Sequence, residues 1–161
     1  MKNKLQDTNR GDLKKKMLNA CIQKHQTVID DFQQSIKEML TSGGLVNEEE
    51  LDLSQQGFNT EMVQRADAIA NQLEFANQEM KLLYDMLPTI GIIQDTVQAG
   101  SVVVTDKMNF FVSTSIEDFE VDGMKVFGLS TASPVFQAME GKKNGEDFSY
   151  KEAKYKIQEV F

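Results

Sequence analysis

Two residue types that build many small catalytic and metal sites are nearly missing from this 161-residue chain, which has one cysteine, Cys21, and one histidine, His25. A lone cysteine excludes an intramolecular disulfide and fits a reducing compartment. With one of each, no zinc-ligand spacing exists, and no Ser–His–Asp or Cys–His arrangement can be drawn. No glycine-rich phosphate loop follows a strand-like run. Basic residues are also outnumbered, 17 against 25 acidic ones, for a net charge of −8. Phosphate contacts need clustered Lys and Arg, so direct sequence-specific binding to nucleic acid is not expected. The dense basic clusters, Lys14, Lys15, Lys16 and Lys142, Lys143, read as solvated faces. No uncharged apolar run approaches membrane-spanning length, and the opening Met-Lys-Asn-Lys-Leu-Gln-Asp lacks the apolar core of a signal peptide. These absences predict a cytoplasmic monomer without membrane association or an intrinsic cofactor or metal, whose first partner is a protein.

What the chain does have is helical periodicity. Residues 1–11 are polar and read as a flexible lead-in, with Asp12 capping a helix that starts at Leu13. Leu18, Ile22, His25, Ile29, Phe32, Ile36 and Met39 then recur at alternating steps of four and three, with Val28 and Leu40 widening the stripe. Cys21 beside this stripe reads as a small core residue, and His25 as a core histidine on it. Ser42-Gly43-Gly44 stops the helix. Residues 45–58 read as an irregular loop, acidic at Glu48, Glu49, Glu50 and Asp52. A second seam follows at Met62, Ala66, Ile69, Leu73, Ala76, Met80, Leu83 and Leu87, and Pro88 ends it. Two such segments joined by a glycine-containing loop fold most simply as an antiparallel hairpin with arms of roughly 40 Å. Met17, Met39, Met62, Met80 and Met86 read as core filling within it.

After Pro88 the period shortens. Val97 to Val104, Phe110 to Val112, Lys125 to Leu129 and Tyr155 to Val160 are β-branched or aromatic runs separated by turn residues. Asp122-Gly123 and Asn144-Gly145 read as tight turns. Ser133-Pro134 opens a short helix, with Ser133 as N-cap and Pro134 at the first helical position, and Gly141 closes it. Phe110, Phe111, Phe119, Phe127, Phe136 and Phe148 read as the filling of this part. The fold class is therefore α+β: a flexible lead-in over 1–11, a coiled-coil hairpin over 12–88, and an antiparallel β module with one short helix over 89–161.

The run Leu129-Ser130-Thr131-Ala132-Ser133-Pro134-Val135-Phe136-Gln137-Ala138-Met139-Glu140-Gly141-Lys142-Lys143-Asn144-Gly145-Glu146-Asp147 resembles the signature of the C-terminal domain of the Gre-type transcription elongation factors. Gly100-Ser101-Val102-Val103-Val104 is similar to that domain's opening strand, and order and spacing agree from about residue 92 to Phe161. Hairpin first and β module second is also the Gre order. The resemblance implies an FKBP-like fold for residues 89–161 and bacterial RNA polymerase as partner. It implies that the module docks at the rim of the secondary channel, with Ser133, Pro134 and Phe136 as docking candidates, and that the hairpin enters the channel. There the tip acids help position Mg²⁺ at the polymerase's own active centre, which assists hydrolysis of backtracked RNA. The family tip reads Gly-Asp-(Leu/Ile)-(Ser/Lys)-Glu-Asn-Ala-Glu-Tyr, and its counterpart here is Leu51-Asp52-Leu53-Ser54-Gln55-Gln56-Gly57-Phe58-Asn59. Asp52 matches the acid, whereas Gln55 stands at the glutamate position and lacks the charge that draws Mg²⁺. Glu48, Glu49 and Glu50 are substitutes in the same loop.

Three other readings stand beside a cleavage-stimulating factor. One is a non-cleaving competitor for the polymerase channel, and another is a coiled-coil adaptor unrelated to transcription. The third is a peptidyl-prolyl isomerase, suggested by the FKBP-like fold. Fold does not carry function, and the tryptophan that floors most active FKBP pockets has no counterpart in a chain without Trp.

Overall fold

The computed structural model describes the backbone of residues 2–42 and 53–161 and the side chains of residues 5–41 and 60–161. Helix α1 spans Lys2–Ser42 and α2 spans Leu53–Met86; six strands and a third helix follow. The chain forms two compact units, one of residues 24–81 and one joining residues 1–23 to 82–161. The unit that carries the sheet thus takes in residues at both ends of the segment whose heptad pattern marks it as hairpin.

In the 24–81 unit the two seams meet as their spacing requires. Ile29, Ala76 and Met80 are buried, and Phe32, Ile36, Met39, Met62, Ala66, Ile69 and Leu73 are half-buried. Val28 and Leu40 do not widen the stripe; they are 43% and 45% exposed, because a two-helix seam is only about two residues in seven wide. Residues 53–58, expected as loop, are helical: α2 begins at Leu53 and accommodates Gly57, whose cost inside a helix is about 1 kcal/mol. His25 sits on the seam as expected, buried, with Nε2 hydrogen-bonded to the Glu79 carboxylate at 2.9 Å. Replacing His25 by alanine leaves Glu79 half-buried without this partner and should cost about 2 kcal/mol. Urea unfolding of the two single variants and the double variant checks this, since a coupled pair makes the double variant less unstable than the sum.

The other unit is built on a six-stranded sheet of β1 (Val102–Thr105), β2 (Asn109–Ser113), β3 (Ile116–Val121), β4 (Met124–Ser130), β5 (Asp147–Tyr150) and β6 (Ala153–Val160), in the order β3-β4-β2-β1-β6-β5. It is not wholly antiparallel. β2 and β4 run parallel, pairing Phe110–Ser113 with Phe127–Ser130, because β4 is inserted between β2 and β3. The Asp122-Gly123 turn joins β3 to β4 with φ of 50° and 80°, the left-handed pair that a two-residue hairpin needs. Residues 97–101 are not strand. Val97 instead exchanges backbone bonds with Gly141 and Lys142, each 2.9 Å, and Gly100 turns the chain at φ 83°.

Alternation along β2 gives the sheet two buried faces. Phe110 and Val112 join Val103, Leu129, Phe148, Ile157 and Val160 in a core closed by Phe136 and Met139 of α3 (Pro134–Met139). Tyr155 stacks on Phe148 at 4.8 Å between ring centroids. Phe111 and Ser113 face the other way, where Ser113 Oγ lies 3.9 Å from Cys21 Sγ of α1. Arg10 of α1 stands 5.4 Å above the Phe161 ring and ion-pairs with Glu159, while Lys16 Nζ pairs with Asp122 at 2.6 Å. The first half of α1 therefore covers the second face.

Anchoring by Arg10 explains why α1 begins at Lys2 rather than at Leu13. Asp12 is not a cap but a mid-helix residue paired with Lys15 at 3.2 Å. Gly11 is required there, since a Cβ would come within 2.8 Å of the Gly91 carbonyl oxygen. Leu87 leaves the seam and is 43% exposed, as the chain turns through 87–92. Lys14 is the largest departure. Expected on a solvated face, it is completely buried.

Candidate functional site

The segment that carries the Gre resemblance folds by local chemistry. Ser133 Oγ accepts from the Phe136 N–H at 3.2 Å, satisfying a free donor of the first turn, and Pro134 occupies the position where no N–H is needed. The Glu140 N–H donates to the Phe136 carbonyl at 2.8 Å, and Gly141 takes φ 73° to end α3. The Glu146 carboxylate accepts from the Lys143 N–H at 2.6 Å, Gly145 turns at φ 86°, and Asn144 Oδ1 accepts from the Val160 N–H at 2.7 Å. The polar residues of the motif thus cap α3 and tie the turn that follows it to β6.

The three docking candidates are placed differently. Phe136 is buried in the core, so its ring is not on a surface. The Ser133 hydroxyl is engaged in the cap. Pro134 is exposed at the start of α3. The structure brings these residues together because they are neighbours in one helical turn. Asp52, Glu48, Glu49 and Glu50 lie outside the described residues, as does the side chain of Gln55. Among the described residues, no group of three or more His, Cys, Asp or Glu is placed to hold a metal, and no helix is long and apolar enough to cross a membrane.

A concave site with no forewarning in the motifs lies in the sheet-bearing unit. It is a cavity of about 250 Å³ bounded by Lys14 of α1, Asp85 and Met86 at the end of α2, Gln94, and Gly100 and Ser113 of the sheet region. Lys14 Nζ donates to the Ile92 carbonyl at 2.6 Å. Burial pushes its pKa down from 10.5 to about 8, because a desolvated ammonium is disfavoured against the neutral amine. Gln94 Nε2 donates to the Ala99 carbonyl at 3.1 Å, while Gln94 Oε1 is shielded from solvent and has no hydrogen-bond partner among the described residues. The burial of Lys14 does have a signal in the sequence. Gly11, Lys14, Leu18, Cys21 and His25 recur at steps of three and four, and all are buried.

No family model matches the chain, and no curated protein does. Solved structures of the transcription factor Gfh1 are similar to it at low identity. One is 14% identical over 92% of this chain and 93% of its own, with a TM-score of 0.34. Another, Gfh1 from Thermus aquaticus, is 15% identical over 90% of this chain and 92% of its own, with a TM-score of 0.32.

Proposed function

We propose that the chain is a Gre-like regulator of transcription elongation that binds bacterial RNA polymerase at its secondary channel and has no catalytic activity of its own. The observation that carries this reading is the Leu129–Asp147 run, a strand end, a Ser-capped and Pro-initiated helix and a glycine turn, preceded in the chain by a helical hairpin in the Gre order. The acidic balance supports it, since such a chain meets nucleic acid only through a protein that already holds it. Under this reading the β module docks at the channel rim, with Pro134 as the exposed member of the α3 start, and the hairpin enters. The acids Asp52, Glu48, Glu49 and Glu50 then supply carboxylates near the polymerase's Mg²⁺.

A second reading, a non-cleaving competitor for the same channel, is favoured by Gln55 at the position of the family glutamate. Native-gel titration of core polymerase tests the shared part, and failure to form a complex overturns it. RNA cleavage in backtracked complexes then separates the two. Stimulated cleavage that disappears in the combined variant Asp52→Asn, Glu48→Gln, Glu49→Gln, Glu50→Gln, with binding retained, assigns the tip acids as its agents. Binding without stimulated cleavage assigns the competitor.

A further inference from the structure

Asn144-Gly145 is the only Asn-Gly pair in the chain. In such a pair the asparagine amide is open to attack by the next backbone nitrogen, because glycine puts no Cβ in the way. Both residues are exposed, and a Cβ built on Gly145 would meet no neighbouring atom within 4 Å. Water reaches the pair, and no side chain crowds it. Yet both reacting groups are tied to β6. The Gly145 N–H, whose nitrogen is the nucleophile, donates to the Ile157 carbonyl at 2.8 Å. The Asn144 side chain, whose Cγ is the electrophile, is held by Oδ1 accepting from the Val160 N–H at 2.7 Å. The Ile157 N–H completes the tether by donating to the Glu146 carbonyl at 2.9 Å. Ile157 and Val160 belong to the buried core, so the turn is anchored on the firmest part of the sheet.

We propose that Asn144 is a self-modification site gated by this attachment: it stays asparagine while the turn is tied to β6, and converts through a succinimide to aspartate and isoaspartate when the turn lifts off. In the open state the Gly145 nitrogen gives up its proton and bonds to Asn144 Cγ. The Cγ–Nδ2 bond breaks, and the amide group takes up a proton and leaves as ammonia. Water then opens the ring at either carbonyl. Opening at Cγ gives aspartate, and opening at the main-chain carbonyl gives isoaspartate, with the chain rerouted through Cβ and Cγ. The two products act differently on the fold. Aspartate keeps a side-chain oxygen for the Val160 N–H. Isoaspartate adds an atom to the backbone between two groups that β6 holds in register, so the Ile157 and Val160 bonds are not both remade. That branch is a one-way release of the turn between α3 and β5. This inference does not depend on polymerase binding.

Peptide mass spectrometry of the full chain, kept folded at mildly alkaline pH beside a synthetic peptide of residues 140–149 in the same buffer, tests it. The folded chain is expected to convert at least about tenfold more slowly than the peptide, because attack waits for local opening. Hydrogen exchange at the Gly145 amide reads the same opening, and its protection should match the retardation within about threefold. Val160→Ala keeps the N–H but loosens its buried anchor, and is expected to raise the folded-chain rate several-fold. Chain aged in urea until it carries isoaspartate, then returned to buffer, should show the Gly145 amide unprotected, whereas Asn144→Asp should keep it protected. Equal rates in chain and peptide, or a retarded chain with an unprotected Gly145 amide, overturns the gating. Protection regained by the isoaspartate chain overturns the release. Should Val160→Ala unfold the chain, the peptide comparison and the exchange measurement still decide.

Discussion

Replacing Gly128 with alanine should lower the stability of the sheet-bearing unit by about 3 kcal/mol, at the upper end for an overpacked core. A Cβ at this position would lie 2.7 Å from Ile116 Cβ and 2.7 Å from the Thr114 carbonyl oxygen. The cause is topological. β4 pairs with both β2 and β3, so the short link between those strands must pass across β4, and it does so over Gly128. Backbone cannot yield as the end of a flexible side chain can, so relief requires the whole crossing to shift. For a unit of this size the loss corresponds to a fall in Tm of about 10–20 °C. Gly123 supplies the comparison. It has φ 80°, but an alanine methyl there would meet no atom within 4 Å, so Gly123→Ala should cost only the left-handed strain of about 1 kcal/mol. Urea unfolding followed by circular dichroism measures both, and equal losses at the two sites would refute the crossing argument.

Lys14→Met should stabilise the chain at pH 7 by about 1–2 kcal/mol, the desolvation cost of the ammonium less the hydrogen bond it gives the Ile92 carbonyl, and flatten its stability between pH 8 and 10.5. In the folded state Lys14 loses its proton at about pH 8, against 10.5 when unfolded. Below pH 8 both states are charged and folding carries the full desolvation cost. Between the two values the unfolded chain holds more protons, so wild-type stability rises with pH. Above 10.5 both states are neutral and the cost is gone. Other lysines and tyrosines titrate in the same range, so the quantity to measure is the difference between wild type and variant at pH 7 and at pH 10.5. Methionine keeps most of the aliphatic stem and removes the charge. A difference that does not shrink with rising pH would show that burial of the ammonium is not the source of the cost.

The parts legible in the sequence are those fixed by local chemistry or by a simple period. The seams from Leu18 to Met39 and from Met62 to Leu83 announce themselves at steps of three and four. Ser133-Pro134 and Asp122-Gly123 are set by one hydrogen bond and two dihedral signs. What escaped is decided at long range. β3 reads Ile-Glu-Asp-Phe-Glu-Val, an acidic edge strand whose charges suit its place but not its propensity. The parallel pairing of β2 with β4 depends on the crossing at Gly128, which no local signal encodes. The start of α1 depends on Arg10 meeting Glu159 and Phe161. The cavity beside Lys14 was illegible for that reason, since its walls come from five separated stretches of chain.

The coverage of the second sheet face by the first half of α1 has a consequence for the order of assembly. During synthesis residues 1–23 emerge well before the partners of Arg10 at positions 159 and 161. Until then Met17, Leu18 and Cys21 have no sheet to cover, and the nascent helix presents them to solvent or to a chaperone. The residues in between are not idle, because a hairpin closed early through the 24–81 seam brings positions 23 and 82 together and shortens the loop that the remaining unit has to close. The coiled coil is then a folding device in its own right: weakening its seam slows the completion of a sheet that contains none of its residues.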